Sequence, residues 1–348
     1  MLDRVLTRGR LLELVDELAN ARRIVGPVKR NDHYFYEPVD RADALDLDFT
    51  YCAYGPKAFL LPATQTLFRF KRHAGTFETT AQHDEEPIGM IGVHPCDVNA
   101  IRLLDHVFAN TYADEHYLAR RRQTFILGID CPRPCTDGVF CGDMHGNEAT
   151  TGFDLMCYPL ARRDGDVVYG AVFGTDAGRE FILYAQAGEP PTVQDERVFE
   201  RYQADKQSAF PQQIPYGVDA LPALLDRSYD SLLWQATARR CYSCGSCNLS
   251  CPTCYCFNVF DEQDMAGGTG RRRREWDGCQ LRSFASVAGG HNFREAPASR
   301  LRHRIYRKAK WVKEREGIAG CVGCARCDRA CTAKISSVEI YNQLAEER

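Results

Sequence analysis

The stretch CYSCGSCNLSCPTCYCF, from Cys241 to Phe257, holds six cysteines in sixteen residues. Thiolates at this density suit soft-metal chemistry, since sulfur ligands favour iron–sulfur clusters and zinc over hard cations. Four of the six follow the spacing Cys241-x2-Cys244-x2-Cys247-x3-Cys251. The same spacing returns 80 residues later as Cys321-x2-Cys324-x2-Cys327-x3-Cys331. A C-x2-C-x2-C loop wraps three thiolates around one cluster, and in two-cluster proteins the fourth cysteine ligates the partner cluster. The repeat therefore predicts two [4Fe-4S] clusters with crossed ligation. Cluster one takes Cys241, Cys244, Cys247 and Cys331; cluster two takes Cys321, Cys324, Cys327 and Cys251. A pair of four-thiolate zinc sites is the alternative, but such sites separate two CxxC pairs by a longer spacer. Pro252 follows Cys251 in the usual way, whereas Thr332 follows Cys331, a change in turn shape and not in ligands.

A second group lies nearer the N-terminus. Cys96 ends the strand-like run GMIGVHPCD, Cys131 ends FILGIDC, and Cys135 and Cys141 follow in CPRPCTDGVFC. The ends of parallel strands are where α/β domains place ligand sites. Cys96, Cys131, Cys135 and Cys141 are accordingly expected to hold a third iron–sulfur cluster. His94 either hydrogen-bonds a cluster sulfur, which would tune its potential, or is structural. Two readings stay open for Cys254, Cys256 and Cys279. They are further metal ligands, completed by His291 or water, or they are buried thiols packing as small hydrophobes. Cys52 and Cys157 stand alone and read as packing residues.

The elements that must position these groups alternate from about residue 25 to 200. HYFYEPV, KAFLLPAT, TLFRFKR, IGMIGV, TFILGI and VVYGAVFG read as strands, rich in aromatic and β-branched residues. NAIRLLDHVF and ADEHYLARRRQ read as helices between them. The expectation is a mixed α/β domain over residues 1–215, closed by a linker carrying Pro190, Pro191, Pro211 and Pro215. LPALLDRSYDSLLWQATARR, SRLRHRIYRKAKWVKEREG and SSVEIYNQLAEE read as helices with little strand among them. Residues 216–348 are thus expected to form a mainly helical two-[4Fe-4S] ferredoxin domain. Arg271–Arg274 reads as a docking face or a salt-bridged surface. The eight basic residues between Arg300 and Arg315 read as a solvated or partner-facing helix.

Composition narrows the class. The chain has 348 residues, 44% hydrophobic and 26% charged, and a net charge of −3, which gives no reason to expect nucleic acid as a partner. No run of about 18 apolar residues suggests a membrane span. The first helix carries charges throughout, unlike a signal peptide, so a cytoplasmic location is expected. An odd count of 17 cysteines in repeated CxxC spacing points to metal binding in place of disulfides. No G-x-G-x-x-G joins a strand to a helix, and GGTGRRRR from Gly267 lacks that context. No Ser-His-Asp or paired-carboxylate arrangement stands out.

The motifs CxxCxxCNxxCPTCxCF, RRRREWDGCQLRSF, AGGHNFRE and CVGCARC resemble the iron–sulfur beta subunit of sulfhydrogenase-type NiFe hydrogenases. The A subunit of anaerobic sulfite reductase is a near relative. The likeness reaches the N-terminal half through IGVHPCDVNAIRLLDHVF and ILGIDC. It implies a non-catalytic electron-transfer subunit of a multi-subunit oxidoreductase. One partner would be a flavin subunit exchanging electrons with NAD(P)H. The other would be the NiFe hydrogenase small subunit or, alternatively, a sirohaem sulfite reductase catalytic subunit. The resemblance also places cysteines at the positions of Cys254, Cys256 and Cys279, and four in the N-terminal region. There this chain departs from the family's C-F-C, with Val139-Phe140-Cys141 preceded by Cys135. A cluster-bearing sensor is a further class, but two crossed motifs without an effector domain point away from it.

Overall fold

The computed structural model describes residues 1–73, 75–161, 167–265 and 267–347. Eleven strands occur among them: β1 (Arg4–Thr7), β2 (Arg23–Arg30), β3 (His33–Val39), β4 (Thr64–His73), β5 (Thr76–Ala81), β6 (Ile88–Val93), β7 (Thr124–Ile129), β8 (Leu155–Ala161), β9 (Val167–Phe173), β10 (Phe257–Gln263) and β11 (Thr269–Trp276). Seven form one sheet in the order β1-β9-β8-β7-β6-β2-β3. Its centre, β2, β6, β7 and β8, is parallel, and the outer pairings are antiparallel.

β6 and β7 are buried along their whole length, as continuous apolar runs in a parallel sheet covered on both faces are. Period-2 geometry sends Phe125, Leu127 and Ile129 to one face, against Leu11, Leu14, Val15 and Leu18 of the helix Arg8–Ala19. Ile126 points the other way, against Val98, Ile101 and Leu104 of the helix Pro95–Ala109. Each such leucine or isoleucine contributes about 1.5–3 kcal/mol by leaving water. The mixed α/β expectation for this part of the chain therefore holds.

The C-terminal part carries a strand pair where little strand was expected. FNVFDEQ and TGRRRREW form a hairpin, and β11 continues onto β4 in a four-stranded sheet ordered β10-β11-β4-β5. Four consecutive arginines masked the strand. They are tolerated because Arg271 and Arg273 pair with Glu262 and Arg272 pairs with Asp261 across the hairpin. Arg271–Arg274 is thus a salt-bridged surface, except for Arg274, which is buried against Asp114 and Gln65.

Other expectations shift locally. KAFLLPAT supplies a short helix, Lys57–Leu60, and not a strand, because Pro56 sets a helical first turn. The segment read as a linker contains the helix Val193–Ala209, started by a Thr192–Asp195 capping box; it buries only Phe199 and Lys206, so its apolar pattern is faint. The long basic helix is broken by a π-type turn, Arg307–Trp311, between Pro297–Tyr306 and Val312–Glu316. Among the described residues no helix is long and apolar enough to cross a membrane.

Candidate metal centres

β6 and β7 are neighbouring parallel strands, and their carboxyl ends deliver Cys96 and Cys131 side by side. A bulge at Gly92, with φ of +72°, shifts the register just before His94-Pro95-Cys96. A side chain there would press on Pro27 and Phe49. Bulges of this kind re-aim residues next to functional sites. Cys96, Cys131, Cys135 and Cys141 line one cavity of about 420 Å³, together with His94, Cys324 and Arg326. His94 is buried and stacks on Phe49 at 4.1 Å, and burial lowers its pKa to about 4, so it faces the cavity uncharged. Burial pushes the Cys96 and Cys131 thiols well above their usual range and Cys141 to about 12. Thiols in such surroundings become thiolates only when a metal supplies positive charge.

A second cavity, about 380 Å³, is lined by Cys251, Cys321, Cys324 and Cys327 with Thr253, Arg304, Lys308 and Tyr341. One cysteine of the first motif thus meets three of the second, the grouping the crossed spacing predicts. Burial raises Cys321 to about 11 and Cys324 to about 12. Cys251 goes the other way. A hydrogen bond with the Cys254 thiol, helped by the charges of Lys308 and Arg304, outweighs burial and holds it well below the usual range.

Cys241, Cys244, Cys247 and Cys331 are placed more openly, and Cys244 is exposed. The backbone N–H groups of Ser243 and Ile335 donate to the sulfurs of Cys241 and Cys331, each at 3.4 Å. Arg240 ties the two loops by donating to the carbonyls of Ala333 and Lys334. Cys254 and Cys279 are bridged by the Asn248 amide, at 3.7 and 3.4 Å. Cys256 is half-buried. His291 sits instead in an exposed loop, edge-on to Phe293. Among the described residues no three Cys, His, Asp or Glu side chains converge tightly enough to hold one metal ion. Cys157 packs in the core beneath the sheet, and Cys52 is buried with its carbonyl accepting from Arg326.

The basic helix is not the solvated face its sequence suggests. Arg300, Arg304 and Lys308 are buried. Arg304 reaches only the Cys247 carbonyl, at 3.4 Å, and its Nε has no partner. Lys308 donates to the Thr253 carbonyl and hydroxyl, and Lys57 to the carbonyls of Cys251 and Cys254. Among the described residues none of Arg304, Lys308 and Lys57 has a carboxylate partner. Burial disfavours charge on Arg304 and Lys308, but the surrounding cysteines outweigh it and raise both pKa values. For Lys57 burial prevails and lowers it. Unpaired buried cations are costly, and for Arg304 and Lys308 the groups on hand to compensate them are the cysteines around them. Spacing did not reveal these cations, because a run of eight basic residues looks the same whether it faces water or sulfur.

Residues 240–335 match the 4Fe-4S dicluster domain family. The chain is 33% identical over 335 residues to sulfhydrogenase 2 subunit beta of Pyrococcus furiosus, covering 96% of each chain. Likeness at that level over nearly the whole of both chains makes this chain a member of the sulfhydrogenase beta-subunit family with a 4Fe-4S dicluster domain.

Proposed function

We propose that the chain is an electron-transfer iron–sulfur subunit relaying electrons between a flavin and NAD(P)H-binding partner and a NiFe hydrogenase module. The observation that carries this reading is the second cavity, where thiols from both motifs meet under two buried cations that lack carboxylate partners. That donor set fits a cluster bearing net negative charge. Cys251, Cys321, Cys324 and Cys327 would hold one [4Fe-4S] cluster, Cys241, Cys244, Cys247 and Cys331 a second, and Cys96, Cys131, Cys135 and Cys141 a third. The clusters supply one-electron carriers. The chain's own residues set their surroundings. Arg304 and Lys308 offset charge, and the N–H groups of Ser243, Gly323 and Ile335 hydrogen-bond the sulfurs of Cys241, Cys321 and Cys331. Tyr341 and Phe140 help close the second cavity to water.

GGTGRRRR opens β11 after the hairpin turn, with Asp264 N–H bonded to the Thr269 carbonyl. It is not the strand-to-helix loop that cradles a dinucleotide phosphate. This supports a division of labour in which a partner chain carries the flavin and nicotinamide chemistry. The test is metal analysis of the complex purified without oxygen through a tag on this chain. Nickel in fixed proportion, with iron falling by about one cluster's worth in Cys96→Ser, supports the reading. A sirohaem absorbance band without nickel would move the terminal enzyme to sulfite reduction. Unchanged iron in Cys96→Ser would remove the third cluster.

A further inference from the structure

The N-terminal cavity and the second cavity share a wall. Cys324 lines both, and in the N-terminal cavity it shares the lining with Cys96. The wall is a close backbone contact between two loops. Phe140 N–H donates to the Gly323 carbonyl at 2.9 Å. Gly323 has φ of +68°, and a Cβ there would come within 2.6 Å of the Cys141 Cα. A Cβ on Gly146 would likewise strike the Val322 backbone. Arg329 donates to the Thr136 hydroxyl and the Asp137 carbonyl, closing the outer edge.

At the centre of this wall lies one ion pair. Arg326, inside the Cys324-x2-Cys327 loop, donates through both terminal nitrogens to Asp97 at 2.6 and 2.7 Å, and through Nε to the Cys52 carbonyl at 2.8 Å. Asp97 follows Cys96 directly. Both side chains are buried, at 4% and 2% exposure. Gly55 leaves the room the carboxylate needs, since a Cβ there would stand 2.6 Å from Asp97 Oδ1. The pair is fully hydrogen-bonded, bidentate and next to thiols of both cavities. Arg326, which lines the N-terminal cavity, has its charge balanced inside the protein, in contrast to Arg304 and Lys308, which line the second cavity.

We infer that the N-terminal and second cavities are adjacent stations of one electron path, with the Asp97–Arg326 pair as the positioning and charge-balancing element between them. Cluster one would lie beyond cluster two on this path, since Cys251 of the second cavity belongs to the first cysteine motif. This rests on the cluster reading proposed above. The transfer moves one electron. With clusters bound, one would be oxidised as the other is reduced, with no bond made or broken, and the flavin of the proposed partner subunit would supply or accept the electron. The pair contributes no net charge to either cluster while intact. Removing one partner exposes the charge of the other to both clusters at once.

The experiment is a reductive EPR titration of the anaerobically purified complex carrying Asp97→Asn, Arg326→Gln or both, with Cys96→Ser to identify the N-terminal signal. Asp97→Asn is expected to shift the potentials of the N-terminal cluster and cluster two upward, because an unbalanced guanidinium favours the added electron. Arg326→Gln is expected to shift both downward, and the double variant to return toward wild type. Splitting from magnetic coupling between these two signals is expected in the reduced wild type and absent in Cys96→Ser. Iron lost in the single variants but restored in the double one would support the pair equally, since a half-pair leaves a bare buried charge. Iron retained with shifts of one sign, or none, would overturn the inference and leave the cluster reading standing. Iron unchanged by Cys96→Ser would overturn the cluster reading and the inference with it.

Discussion

Replacing Arg304 by methionine is expected to lower the reduction potentials of both clusters of the dicluster domain while leaving the N-terminal one in place. The guanidinium lines the second cavity with Cys251 and Cys327 and donates to the Cys247 carbonyl, so it stands between residues assigned to clusters one and two. Its side chain is buried and has no carboxylate to share its charge. Two unit charges about 6 Å apart at an effective dielectric constant of about 20 interact by about 2.8 kcal/mol. Reduction adds one negative charge to the cluster, so losing the cation removes about that much stabilisation from the reduced form. For a one-electron couple this is a shift of about 120 mV to more negative potential, felt by each cluster that lies at that range. The assay is a redox titration followed by EPR, with Arg304→Lys as the variant that keeps the charge. In the iron-free protein the sign reverses. There Arg304 is a buried cation without a counter-charge, and methionine is expected to raise the urea midpoint. Potentials unmoved in Arg304→Met, or moved equally in Arg304→Lys, would refute the electrostatic argument.

Gly323→Ala combines a left-handed backbone with a clash against the Cys141 loop, so it is expected to cost clearly more than the about 1–2 kcal/mol of the backbone term alone. Gly267→Ala, with φ of +77° but open space around it, is expected to show only that backbone term; equal urea midpoints for the two would refute the contact. Arg274→Met leaves Asp114 without its buried partner and is expected to cost about 3 kcal/mol. Arg272→Met, which breaks an exposed pair with Asp261, is expected to cost under about 1 kcal/mol, and thermal melts compare the two. Burial, with Arg294 and Arg307 nearby, lowers His303 to about 4. The charged form is therefore disfavoured in the fold, so this group's stability is complete above pH 6.5 and is lost as pH falls toward 4. His303→Gln is expected to flatten that part of the melting-temperature profile.

What the sequence made legible was spacing and apolar runs. The CxxCxxCxxxC repeat located the dicluster segment, and IGMIGV and TFILGI identified two neighbouring buried strands whose ends carry Cys96 and Cys131. Both signals are local, because ligand spacing and strand periodicity are set within a few residues. β11 was missed because TGRRRREW acquires its strand character from partners, Glu262 and Asp261 on one side and β4 on the other. The helix Val193–Ala209 was missed because two buried residues in 17 leave no clear stripe, although Thr192 and Asp195 carried its capping signal. Among the site's supporting residues, Asp97 and Arg326 sat in plain view inside PCD and CARC. Nothing in one sequence says that positions 229 residues apart meet.

The division at residues 215 and 216 also came from local cues, and the long-range contacts strain it. Leu221, Leu224, Leu225, Leu301, Ile305 and Tyr341 share one core with Val139, Phe140, Cys141 and Met144 from the N-terminal half. β11 pairs with β4 from Thr269 to Glu275, and the buried pairs Arg274–Asp114 and Arg326–Asp97 cross the same boundary. A fragment of residues 216–348 would keep both cysteine motifs but expose the apolar face that Phe140 covers, leave β11 as an edge, and strip two buried arginines of their carboxylates. Each broken buried pair is worth about 3–5 kcal/mol, of the order of the 5–15 kcal/mol that holds a whole domain together. The fragment is therefore expected not to fold as a free-standing ferredoxin, even with iron and sulfide supplied. Co-expression with residues 1–215 is expected to restore a soluble, iron-loaded pair. The readouts are iron content, near-ultraviolet circular dichroism and size-exclusion elution. A fragment that alone is monomeric, melts cooperatively and takes up about eight iron atoms, four per cluster, would show that the boundary contacts are dispensable and that the two halves are separate domains after all.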